Sequence, residues 1–439
     1  MVDSQKVRRA GYAPTNPELG RRGLHTRQSI LRSAARLFLE RGFHGTSIDA
    51  IAKAAGGSRA TVYQYFEDKE DIYRELAAQC LPAVLDHASR LGPLGPDTEG
   101  ISNLFSWLDE FSDLYDEHAV VLGFPGLGTA TGVSAYPDAA VAGRYVSMVV
   151  DRTRTAELGG IPAADAAAAV VGIAHMVNLY RHRGMWGLPG GGTVTASLTV
   201  ALQSLLFPDT PRAVLGIVAR QADSTPVTSP MTALLARPTS TVVVSSEPVS
   251  PIRSDIIAAA SSLFAERGYY AVGMDDIAMA ANVSRATLYR HFPTKVTILS
   301  ELTQWAVVEG TGLAADLHDL ADTGLTRESL HAWLARYVRF HRAYGSVTQT
   351  WYDGGLNRQL ADAVSAGLGP FQEAATAILI RSGLPAGIDL RVGAAIFLSV
   401  LGRFTEMTLS KRTVDTDYDS AELMLVVLSR VLNMKFDAL

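Results

Sequence analysis

Apolar residues recur at three- and four-residue spacings along the chain, a pattern that predicts an all-α protein. Ile30, Ala34, Leu37 and Phe38 form the apolar face of a first helix, which Gly42 ends. Ser47 can cap a second helix whose inward side is Ile48, Ile51 and Ala52, and Gly56 and Gly57 close it. A third helix runs from Ser58 to the neighbourhood of Phe66, and Glu67 or Asp68 can cap a fourth through Ile72 and Leu76. Helices of about seven residues are too short to be stable alone, so the second and third must be locked onto a longer neighbour. Two short helices joined by a tight turn make a helix-turn-helix, whose second helix suits the DNA major groove with its N-terminal residues at base edges.

The same pattern returns 226 residues later. Residues 30–73 align without a gap on residues 256–299, with 20 identities in 44 positions. A fainter echo follows, where the segments beginning Gly159-Gly160-Ile161-Pro162 and Ser382-Gly383-Leu384-Pro385 each lead into a long apolar helix. Between the halves, from about Asp209 to Pro251, the composition shifts to Pro, Ser and Thr, as in an extended linker. The predicted order is therefore a basic, disordered arm (1–25), a helix-turn-helix domain (26–72) and a helical domain (73–208). The linker (209–251), a second helix-turn-helix domain (252–298) and a second helical domain (299–439) follow.

The repeated segments resemble the DNA-binding domain of TetR-family regulators, in which a Leu-Phe pair precedes a glycine, an Ile-Ala helix leads to a Val-Ser turn, and a small-Thr-apolar-Tyr helix ends in His/Tyr-Phe before a lysine. The resemblance covers about a fifth of the chain directly. It implies two tandem units, each a three-helix head followed by a helical ligand-binding and dimerisation domain, and repression as the default mode of regulation. Carried onto this sequence, it implies phosphate contacts from Tyr63, Lys69, Tyr289 and Lys295. Groove contacts fall to Ser58, Arg59, Thr61, Gln64 and Tyr65 in the first head, and to Ser284, Arg285, Thr287, Arg290 and His291 in the second, with Thr46 as a further hydroxyl near the backbone. Val62, Phe66, Leu288 and Phe292 fit the core of each head instead, and Tyr63 and Tyr289 could serve packing as well as phosphate. Arg59 and Arg285 have no acid at helical spacing, which favours DNA for both. Two departures stand out: Gly57 replaces the apolar turn residue Val283, implying a looser first turn, and Val272-Gly273 replaces Thr46-Ser47, losing two hydroxyls.

Charge refines the picture. The net charge is only −5, but residues 1–74 carry 13 Lys or Arg against 8 acids, so basic charge gathers at one end, as contact with phosphates requires. The single cysteine, Cys80, permits no intramolecular disulfide and fits a reducing cytoplasm, with a buried inert thiol the expected state. The N-terminus lacks the apolar core of a signal peptide, and the longest apolar run, Ala166–Tyr180, falls short of the roughly 20 residues that span a bilayer. No membrane partner is expected.

Each helical domain carries an aromatic stripe, including Trp107 and Phe111 in the first and Trp333, Tyr337 and Trp351 in the second. The resemblance implies a pocket for a small apolar or amphipathic effector there, with His118, His175, Asn178 and His341 as candidate orienting groups; the plainer alternative is that the stripes only fill a core. No phosphate loop, metal-spaced His/Cys set or Ser-His-acid arrangement is recognisable, so no enzyme activity, cofactor or metal is expected. The competing class is a ligand-binding or scaffold protein with degenerate heads. The last two helices of each half, about 164–183 with 195–207 and 388–411 with 419–435, are the most apolar; in the family such a pair packs on a second copy. Here one half can supply the other's partner. The expected assembly is thus a monomeric pseudo-dimer on a double-stranded DNA operator, with a homodimer as the alternative.

Overall fold

The computed structural model describes residues 17–123, 139–153, 156, 158, 161–219, 250–351, 354–409 and 417–437. Among these residues every regular element is a helix. The first unit consists of α1 (Pro17–Arg41), α2 (Ile48–Ala54), α3 (Arg59–Tyr65), α4 (Lys69–Ser89), α5 (Thr98–Glu117), α6 (Ala119–Leu122), α7 (Ala139–Arg152), α8 (Ala163–His182), α9 (Gly191–Leu206) and α10 (Arg212–Ala219). The second consists of α11 (Pro251–Arg267), α12 (Met274–Ala280), α13 (Arg285–His291), α14 (Lys295–Thr323), α15 (Arg327–Thr350), α16 (Gly354–Ser382), α17 (Leu390–Leu409) and α18 (Asp417–Val431).

The elements form where local chemistry satisfies their ends. Ser47, Ser58, Asp68 and Asp97 each accept a backbone N–H of the first turn that follows, capping α2, α3, α4 and α5. Ser284, Thr294 and Thr326 do the same for α13, α14 and α15. Along α5 the buried positions Ile101, Leu104, Leu108, Phe111 and Tyr115 keep the three-four spacing that turns one face to the core.

Two boundaries differ from the sequence expectation. Of the arm expected over 1–25, residues 1–16 lie outside the described residues, and α1 already begins at Pro17. Of the linker expected over 209–251, residues 212–219 form α10, whose Val214, Leu215 and Val218 pack with Ile101, Phe105 and Ala196; residues 220–249 lie outside the described residues.

The duplication governs the whole arrangement. α2 and α12, α3 and α13, and the starts of α4 and α14 and of α9 and α18, stand 226 residues apart. One continuous apolar core runs from the first head through the helical domains of both units, while the second head has its own. The two units meet mainly through corresponding elements, α8 against α17 and α9 against α18, which together make a four-helix bundle. Polar contacts fasten it: Ser197 Oγ accepts the Asp389 N–H at 3.1 Å, and Arg430 donates to the Leu205 carbonyl at 3.2 Å. α8 is 20 residues long and, with residues 359–382 of α16, is apolar enough to cross a membrane by length and composition. Its apolar surface is instead buried against the bundle, and the longer span than the 15-residue run in sequence comes from Ala163–Asp165 and the basic last turn.

Candidate nucleic-acid interface and effector cavity

The two heads share most of their architecture. In the first, Val62 is buried, so α3 turns Arg59, Tyr63 and Gln64 to solvent; in the second, Leu288 is buried and α13 exposes Arg285, Tyr289 and Arg290. Tyr65 and His291 sit half-buried at the helix ends. Ser58 and Thr61 close a capping box, with hydroxyls 3.0 Å apart; Ser284 likewise accepts the Thr287 N–H, at 3.1 Å, and the two hydroxyls lie 2.9 Å apart. These four hydroxyls are first of all structural, holding the N-terminal turn of each helix at the exposed face.

Arg59 and Arg285 each have an acidic partner that the spacing within their own helix does not reveal. Arg59 lies 3.5 Å from Asp49 and donates to the Tyr63 hydroxyl at 3.2 Å; Arg285 pairs with Asp275, the counterpart of Asp49. The expectation that they are unpaired is thus corrected: the acids come from the preceding helix, ten residues back in the chain. All four side chains are exposed, and such pairs contribute little to stability, so exchange of the carboxylate for a phosphate or base edge costs little.

Lys69 and Lys295 take a different position from the one a phosphate role needs. Lys69 Nζ donates to the carbonyls of Phe43 at 2.7 Å and Thr46 at 3.1 Å, and lies over the Phe43 ring. Lys295 does the same to Tyr269 and Val272, at 2.7 and 2.6 Å. Burial lowers the pKa of both ammonium groups, and their donors serve to tie the loop after the first helix to the start of the fourth. Thr46 is likewise turned inward: buried, it donates to the carbonyls of Leu37 and Gly42 at 3.1 and 2.8 Å, so Val272 replaces a core hydroxyl rather than a phosphate contact. Nor is the first turn looser. Gly56 and Asn282 both adopt positive φ, 74° and 52°, and Gly57 and Val283 make matching bonds of 2.9 and 3.0 Å to Ala52 and Ala278.

Arg27 and Arg253, absent from the sequence-level candidates, brace each head by pairing with Glu75 and Glu301 and covering the rings of Phe66 and Phe292. The heads also touch each other. His44 stacks on Tyr270, its counterpart 226 residues on, with ring centroids 3.6 Å apart and planes 15° from parallel.

The family model described as "Bacterial regulatory proteins, tetR family" matches residues 30–76 and again residues 256–302. The two matched segments, about a fifth of the chain, are similar to the DNA-binding domain of that family. The chain is similar to IcaR, the negative regulator of the icaADBC biofilm operon in Staphylococcus epidermidis, at 30% identity over 96 residues, 22% of this chain and 50% of IcaR. AcrR of Shigella flexneri is 49% identical over 51 residues, 12% of this chain and 24% of AcrR. Among solved structures, the TetR family regulator PfmR from Thermus thermophilus aligns with 39% of this chain and 96% of its own, at 22% identity and a TM-score of 0.32. The chain spans about half the length of the curated relatives it matches first.

The aromatic stripes behave differently in the two units. Trp107 and Trp333 are equivalent, their indole N–H groups donating to the carbonyls of His87 and Leu313 at 3.2 and 2.8 Å. In the first unit the His87 ring fills the space beside Trp107, bonded through Nδ1 to the Tyr145 hydroxyl and through Nε2 to the Trp107 carbonyl, both at 2.8 Å. Phe111 stacks on this group. Burial pushes the His87 imidazole down to about 4, so it is neutral at pH 7. In the second unit Leu313 and Phe371 stand near Trp333 in place of the histidine and tyrosine, and a cavity of about 90 Å³ opens among α14, α15, α16 and α17. Tyr337, His341 and Trp351 line it; Trp333 lies behind, in contact with Tyr337. The remaining candidates are not brought to this cavity. His118 sits at the corner between α5 and α6, His175 packs on Tyr115, and Asn178 bonds locally to Ala174 and Arg181. One wall the sequence did not suggest comes from the other unit: Met176, Tyr180 and Trp186, the last in the turn between α8 and α9.

Proposed function

We propose that the chain is a sequence-specific transcription regulator, a repressor by family default, whose two units act as a pseudo-dimer on one operator. The observation that carries this is the juxtaposition of corresponding parts, α8 with α17, α9 with α18 and His44 with Tyr270, the self-complementary pattern of a two-fold interface realised within one chain. Two heads tethered in one molecule face each other at high effective concentration, which favours internal pairing over association between chains.

Arg59, Tyr63 and Gln64 read or anchor one half-site, and Arg285, Tyr289 and Arg290 the other. Because Gln64 differs from Arg290 and Tyr65 from His291, the half-sites differ in sequence and the operator is not palindromic, its halves lying about one helical turn or a multiple apart. A small apolar or amphipathic effector releases DNA by favouring a head spacing that no longer fits the groove. The cytoplasm is the place of action. Quantitative footprinting of the flanking intergenic DNA over a salt series tests this. Protection of a bipartite site whose affinity falls steeply with salt is expected; salt-insensitive or absent protection would assign the chain to ligand binding without DNA reading.

A further inference from the structure

The cavity in the second unit has a wall that belongs to the first, and that wall is held in an unusual conformation. Trp186 adopts φ 56° and ψ 20°, a region bulky L residues seldom occupy and one that tends to mark functional positions. It lies between Gly184 and Gly187, both also at positive φ, and its indole packs on Tyr180 with centroids 4.5 Å apart. The turn is fastened across the units, since Arg391, itself paired with Asp389, donates to the Gly187 carbonyl at 2.9 Å. Gly402 also lines the cavity, and an added Cβ there would meet no atom within 4 Å, which leaves room for a larger side chain at its edge.

We propose that the chain takes one small, uncharged aromatic or otherwise apolar ligand, in the cavity of the second unit, and that Trp186 of the first unit closes over it. None of the described residues that line the cavity is Asp, Glu, Lys or Arg, so among them a charged ligand finds no counter-ion on desolvation. The volume suits on the order of six to nine water-sized units, enough for a one- or two-ring compound or the apolar end of a longer one. The first unit fills the corresponding space beside Trp107 with the hydrogen-bonded His87–Tyr145 pair, so binding is asymmetric: one site per chain, sensed by one unit and felt by both through α8 and α17. This rests on the effector role proposed above, but its test does not involve DNA.

The test is a titration of the full chain with 1-fluoronaphthalene followed by ¹⁹F NMR. A single saturable site per chain is expected, lost or weakened at least tenfold in Gly402→Leu, which places a larger side chain at the cavity's edge, and in Trp186→Gly, which removes the wall. Trp186→Gly also releases the strained backbone, so its thermal midpoint should be no lower than that of the parent chain, separating loss of the wall from loss of fold. No saturable binding to the parent chain, two equivalent sites per chain, or undiminished binding in both variants would overturn the proposal. Failure to find an operator would leave the titration unaffected, so the two proposals fail separately.

Discussion

Arg59 and Arg285 carry the heaviest burden proposed for single residues, and the acids that hold them in the free protein make a specific prediction. Replacing either arginine by alanine should weaken binding to the half-site its head reads by roughly ten- to a hundredfold while leaving helicity intact, as loss of a good base contact does. Asp49→Asn or Asp275→Asn should instead tighten binding, since each frees an arginine and removes a negative charge from the DNA-facing surface. Fluorescence anisotropy on operators mutated in one half at a time separates these outcomes. Weakened binding in the Asp variants would mean that the carboxylates orient the arginines for DNA rather than compete with it. His87 gives a second residue-level expectation. The folded chain keeps it neutral down to about pH 4, while the unfolded chain protonates it near 6.5, so the unfolded state binds the extra proton in that window. Stability should therefore fall as pH drops from about 6.5 to about 4, by on the order of 3 kcal/mol when complete. His87→Gln should flatten that part of the thermal-midpoint profile, at the cost of a lower midpoint at pH 7.

At the scale of elements, the short helices and their caps were legible in sequence because each depends on residues three or four positions apart: Ser58 and Thr61, Ser284 and Thr287. What was not legible depends on packing. The bond of Lys69 to Phe43 and Thr46 joins residues 26 and 23 positions apart, and nothing in the lysine's own neighbourhood distinguishes it from a phosphate ligand. Lys69→Met and Lys295→Met should accordingly lower the thermal midpoint and loosen the loop after the first helix, with little change in the slope of affinity against salt. A slope reduced by about one unit at unchanged stability would restore the phosphate role. Which aromatic stripe encloses space was equally out of reach. Both stripes have the same Trp, and the difference lies in what stands beside it, His87 with Tyr145 in one unit and Leu313 with Phe371 in the other.

For the whole molecule, the duplication in sequence was the strongest signal: the 226-residue offset of the heads returns at the start of the last bundle helices, α9 and α18, while between them α5 and α15, and α8 and α17, shift by a few residues. The sequence left open whether the two most apolar helix pairs cover each other or a second chain; in the structure α8 and α9 lie against α17 and α18 of the same chain. The faces that would otherwise receive a second copy are thus covered from within, and the cavity of the second unit shares Tyr180 and Leu401 with the bundle, so the ligand proposed there would bear on it directly. The most direct measurement of the central claim is the mass of the complex on a minimal operator, by sedimentation equilibrium at a protein concentration well above the dissociation constant. One 46.9-kDa chain per operator, with each half-site responding to mutation of only one head, is the expected result. Two chains per operator, or a perfect inverted repeat as the preferred site, would contradict it.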